Sequence, residues 1–253
     1  MPASALDVLD WHTTFDARAT EAVLQPLERL GRRSVQLLAD LGYAAVLYPV
    51  SLLRVAMKAV EAAFADPRSR IVIDDAKSYF ARGKGRYDII VSEPSNPWVS
   101  GVSGLFTDEF YRRVKSHLSP DGVFGQWLHL YEIDDDLVLS VLAAIDRNFD
   151  DYAVYGTAGM DILVVAKPQG TLPEPAWELV TSWPLVRRDL ARALPLTPEA
   201  LERTLVVSRD VLRPLLSAGH TPNSDFRPVL DLGAEKTRYM GRSAAGLLSI
   251  GRS

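Results

Sequence analysis

The sequence predicts an α/β protein with a doubly wound, mostly parallel sheet, an antiparallel edge hairpin and a helical C-terminal tail. Three observations carry this expectation. Short apolar runs alternate with helix-length amphipathic patterns between residues 43 and 148, the order of strand–helix–strand units. One run, Ile89-Ile90-Val91, is apolar at successive positions, as in a strand buried on both faces, and then breaks into Glu93-Pro-Ser-Asn-Pro-Trp98. Further on, Ala153–Tyr155 and Ile162–Ala166 flank Gly156-Thr-Ala-Gly159, which reads as a hairpin.

The elements follow in order. Residues 1–42 form a helical, polar-rich segment with apolar positions at Val23, Leu24, Leu27 and Leu30, punctuated by Gly31 and Gly42. Tyr43–Tyr48 is a short strand ended by Pro49. Leu52–Ala65 is a helix whose Leu52, Val55, Ala59 and Ala63 share one face. Asp66-Pro67-Arg68 stops it, and Arg70–Ile73 is the next strand. A brief helix, Ala76–Ala81, precedes the Gly83-Lys84-Gly85 turn and the strand Tyr87–Val91. Thr107 is an N-cap for a helix Asp108–Leu118, with Asp108 and Glu109 complementing its positive end. Ser119-Pro-Asp-Gly122 breaks that helix before a strand Val123–Leu128. Asp134–Asp136 opens another helix with Leu137, Val141, Leu142 and Ile145 inward. Prolines 168, 173, 175, 184, 195 and 198 mark a linker into a helical tail. Three segments result: 1–42, a core over 43–168, and a linker and tail over 169–253.

Composition bounds the function. The chain has 253 residues, 47% apolar and 24% charged, with a net charge of -4. Neither nucleic acid nor anionic membrane is favoured by that charge. No cysteine is present, so thiolate metal sites are excluded and a reducing compartment fits. Tyr43–Leu53 is the longest apolar stretch and too short to span a bilayer. The expectation is a cytoplasmic protein that inserts in no membrane and holds no metal. His12, His117, His129 and His220 show no ligand spacing.

The candidate site lies at strand ends, where open α/β sheets bind ligands. Glu93 and Asn96 follow an apolar strand on a loop stiffened by two prolines. As chemistry, Glu93 is a general base and Asn96 a hydrogen-bonding partner; Ser95 lies between them. As architecture, Asn96 bonds nearby backbone and Glu93 is solvated. Asp74 and Asp75, just before Ala76, either contact a nucleotide base or cap the following helix. Trp98 suits stacking on a planar or cationic ligand, and Gln126 lines the same cleft; Trp127 fits the core better. No Gly-x-Gly turn occurs in residues 1–60.

Taken together, Asp66-Pro-Arg-Ser-Arg-Ile-Val-Ile-Asp-Asp-Ala-Lys77, Tyr87–Trp98, Phe106-Thr-Asp-Glu-Phe-Tyr111 and Leu118-Ser-Pro-Asp-Gly-Val-Phe-Gly-Gln-Trp127 resemble the spermidine synthase (polyamine aminopropyltransferase) family. Asn223-Ser-Asp-Phe-Arg-Pro-Val-Leu-Asp231 is similar to its bacterial spermidine synthase-like branch. The resemblance implies a Rossmann-like fold of the S-adenosylmethionine-dependent methyltransferase type. It implies a transferase of polyamine biosynthesis that moves an aminopropyl group from decarboxylated S-adenosylmethionine to an amine. In that likeness Glu93 and Asn96 stand at the family's two loop acids, with Ser95 and Trp98 in the same amine-binding loop. Asp75 stands at the acid that contacts adenine, flanked by Asp74 and Ala76, and Gln126 at a glutamine of the amine pocket. The glycine-rich first turn and the ribose-binding acid of the family are missing, so the cofactor site is degenerate by comparison. Two other readings stay open: a methyltransferase using S-adenosylmethionine itself, and a non-catalytic truncated relative. The expected partner is a small-molecule amine, and the chain leaves room for a homodimer.

Overall fold

The computed structural model describes residue 72, residues 74–184 except 158, residue 187 and residues 197–250. The expected helical segment 1–42, strand Tyr43–Tyr48 and helix Leu52–Ala65 lie outside the described residues, as does all but Val72 of the expected strand Arg70–Ile73. The described part is α/β: a mixed sheet of five strands, in the order β1-β2-β4-β3-β5, with helices packed against it.

Helix α1, Ala76–Arg82, begins where Asp75 caps it. Strand β1, Tyr87–Ser92, pairs in parallel with β2, Leu118–His129. Ile90 and Ser92 are buried while Ile89 and Val91, on the other face of the strand, are half-buried. Helix α2, Asp108–His117, makes the crossover between β1 and β2, and Thr107 caps it by accepting the Phe110 N–H at 3.3 Å. Strand β2 starts at Leu118, earlier than the expected Val123. The Ser119–Gly122 stretch is absorbed as an irregularity in its register with β1. Gly122 allows this, since a Cβ there would lie 3.0 Å from the carbonyl oxygens of both Ser119 and Tyr87.

Helix α3, Asp135–Asn148, is capped by Asp134 and buried nearly all round. It packs against α2 and against three helices of the tail, α4 (Arg209–Ser217), α5 (Val229–Tyr239) and α6 (Ala245–Ile250). Strands β3, Asp151–Gly156, and β4, Asp161–Lys167, form the expected antiparallel hairpin. The core runs under α2 and α3, where the Phe124 and Phe149 rings stack at 5.4 Å. Tyr111 belongs to it, fully buried, and its hydroxyl has no hydrogen-bond partner. Burial drives that phenol well above its usual range. Tyr111→Phe is expected to raise stability by up to about 1 kcal/mol, because it removes an unpaired buried hydroxyl at constant ring shape. A loss of stability in urea unfolding would refute this.

The tail is helical as expected and also supplies a strand. Strand β5, Leu205–Ser208, pairs antiparallel with β3 and covers its outer edge, so the hairpin is not the last pair of the sheet. Thr204-Leu-Val-Val-Ser208 is short but β-branched and apolar, which suits a half-buried edge. Downstream, Asn223 is buried and locks the tail to α2. Its side-chain amide donates to the Phe106 carbonyl at 3.0 Å, its side-chain oxygen accepts from Leu230 N–H at 3.1 Å, and its carbonyl accepts from Asp108 N–H at 2.9 Å. Glu109 accepts from Ser224 and from the Asp225 N–H at 2.9 and 2.8 Å.

Candidate functional site

The β-ladders decide which side chains can meet. On β2, Trp127 stands opposite Leu163 of β4 and His129 opposite Asp161. Side chains alternate along a strand, so Trp127, His129 and Asp161 share one face while Gln126 points to the other. Glu93, the first residue after β1, is half-buried at the strand's carboxyl end. Loss of water around it holds its carboxyl above the usual carboxylate range, and the nearby Asp161 anion pushes it further. Asp161 is itself raised by burial, with the Trp127 indole opposing. One of its carboxylate oxygens, Oδ1, is buried without a partner.

His129 completes this face. It is fully buried, neither ring nitrogen has a hydrogen-bond partner, and burial lowers it from 6.5 to about 4. It is therefore neutral near pH 7, with one nitrogen free to accept. Rings surround it: Trp98 edge-on at 4.8 Å, Tyr131 at 4.5 Å and Trp127 at 5.6 Å. The Arg238 guanidinium, from α5, lies 5.1 Å over the Trp98 ring. The loop carrying Glu93 is pinned: Pro94 and Pro97 are buried, and the Asn96 carbonyl accepts the Val99 N–H at 2.9 Å.

Among the residues expected from sequence, the structure brings Glu93 and Trp98 to this face. Ser95 and Asn96 are half-buried in the same loop. Gln126 is buried on the opposite face, where its amide donates to the carbonyls of Ser92 and Trp127 at 3.3 and 2.9 Å and its Oε1 has no partner. It thus braces the residue before Glu93. Asp75 accepts the Ser78 N–H at 2.8 Å as the cap of α1, and that bond holds it below its usual range. Asp74 pairs with Arg82 and accepts the Asp75 N–H at 2.9 Å, and Ala76 is the first residue of the helix.

Sequence reasoning missed Asp161 and His129 as site residues. A signal was present: Asp161 is an acid opening the apolar run Ile162–Ala166. Asp161 also lines a cleft of about 380 Å³ with Gly156, Thr157, Gly159, Arg203 and Leu248. Among the described residues no group of three or more His, Cys, Asp or Glu is placed to hold a metal, and no helix is long and apolar enough to cross a membrane.

Residues 50–161 match the spermine/spermidine synthase domain. The polyamine aminopropyltransferase of Aeropyrum pernix is 32% identical over 99 residues, 37% of this chain and 31% of that protein. The polyamine aminopropyltransferase of a Synechococcus species is 42% identical over 65 residues, 25% of this chain and 21% of that protein. The matched part thus spans about a third or less of these curated relatives. The spermidine synthase of Thermotoga maritima is similar as a structure, with a TM-score of 0.42 and 21% identity over 68% of this chain and 60% of that one.

Proposed function

We propose, for a chain whose residues 50–161 match the spermine/spermidine synthase domain, that it transfers an aminopropyl group from decarboxylated S-adenosylmethionine to an amine, with Glu93 as general base. The amine nitrogen attacks the propyl carbon bonded to the sulfonium. Glu93 first takes a proton from the bound ammonium and so frees the attacking lone pair; the carbon–sulfur bond breaks, its electron pair stays on sulfur as methylthioadenosine, and the product leaves as a secondary ammonium. The observation that carries this reading is the state of Glu93: a half-buried carboxyl at the carboxyl end of β1, raised by desolvation and by Asp161. A carboxylate raised in this way is a stronger base. Trp98, Trp127 and Tyr131 give a cationic substrate an aromatic wall.

In the same proposal Ser95 and Asn96 orient the amine, Asp74, Asp75 and Ala76 border the adenine, and Gln126 supports the loop through Ser92. Incubating the chain with decarboxylated S-adenosylmethionine and putrescine is expected to yield spermidine and methylthioadenosine in equal amounts. Mass analysis separates this from methyl transfer with S-adenosylmethionine. Absence of both products, together with no calorimetric binding of methylthioadenosine at millimolar concentration, would exclude the transferase reading.

A further inference from the structure

We propose that Asp161 is a specificity-determining residue of the Glu93 site, forming with Glu93 and His129 a socket of three acceptors for one primary ammonium group. The inference rests on the reading of Glu93 given above and adds two residues to it. Two features point to a ligand. His129 is fully buried with both ring nitrogens unpartnered. Asp161 Oδ1 is buried and unpartnered on the strand position directly opposite. Native interiors keep few such groups without reason.

The donor and acceptor inventory matches. A primary ammonium presents three N–H donors and no acceptor. Glu93 offers a carboxylate, Asp161 its free oxygen and neutral His129 one ring nitrogen. Directly opposed side chains on paired strands have Cβ atoms about 4.5–5.5 Å apart, so a compact ion can touch His129 and Asp161 together. A planar guanidinium matches carboxylates in a fork and leaves the ring nitrogen unused. When Glu93 takes one of the three protons, Asp161 still carries a negative charge beside the nitrogen. The two carboxylates therefore divide the work: one accepts the proton and the other keeps hold of the amine.

The test reads amine binding apart from chemistry. Calorimetry on the full chain with n-butylammonium and with putrescine is expected to show binding of both. Asp161→Asn, which keeps shape and removes charge, is expected to weaken both at least tenfold. Equal affinity in wild type and variant, or no amine binding by wild type, overturns the proposal. Methylthioadenosine binding and product formation, measured alongside, judge the transferase reading by itself: loss of those with amine binding intact leaves the socket standing. A second readout needs no variant. The His129 ring resonances of the wild-type chain are expected to shift on amine addition, and an unmoved His129 signal also overturns the proposal.

Discussion

Glu93→Gln is expected to lower the rate of aminopropyl transfer by roughly a hundred- to ten-thousand-fold, the usual worth of a positioned general base. Glutamine preserves the length and planarity of the side chain and cannot take a proton. The loop that carries it is pinned by buried Pro94 and Pro97 and by the Asn96–Val99 hydrogen bond, so the substitution should not move neighbouring groups. Methylthioadenosine affinity should be unchanged. The wild-type chain has a second signature. A base works deprotonated, so kcat/KM rises with pH through the carboxyl's own titration. Because desolvation and Asp161 raise Glu93 above 4.5, that rising limb should be centred above 4.5 and should move down in Asp161→Asn. Steady-state rates of Glu93→Gln within a few-fold of wild type would remove Glu93 from the mechanism.

Asn223→Ala is expected to destabilise the protein by about 2–6 kcal/mol, since it leaves the buried Phe106 carbonyl and Leu230 N–H without partners at about 1–3 kcal/mol each. Asp225, two residues on, is a matched control. Its ion pair with Lys77, at 2.7 Å, is about one-third exposed on both sides, and Asp225→Ala should cost under about 1 kcal/mol. Urea unfolding measures both. If the two variants were equally stable, the polar lock at Asn223 would carry no weight and apolar packing of α4 and α5 alone would hold the tail.

Local chemistry was legible in the sequence where one segment decides its own structure. Thr107 and Asp134 cap their helices, Asp75 caps α1, and the Gly156–Gly159 turn joins two strands, all from residues within a few positions of one another. Glu93 and Trp98 could be singled out as candidates because a strand end and a proline-stiffened loop are also local. Asp161 and His129 were not, because their meaning comes from pairing. Only the β2–β4 register sets His129 opposite Asp161 and puts both on the face of Trp127. The same ladder turns Gln126 away, which its adjacency to Trp127 conceals. Strand β5 was read as part of a helical tail because its run is as short as a helical turn, and only an unpaired edge on β3 makes it a strand.

The lock at Asn223 also sets a clock for folding. The hydrogen bond from its amide to Phe106 closes a loop of chain 117 residues long. Contacts so far apart in sequence must wait for loop closure, and they slow the search for the native state. During synthesis, α2 emerges more than a hundred residues before the segment that accepts its Asp108 N–H and donates to its Glu109. The first helix after the candidate loop is therefore finished last, and the site it helps frame reaches its working shape only once the tail has been made.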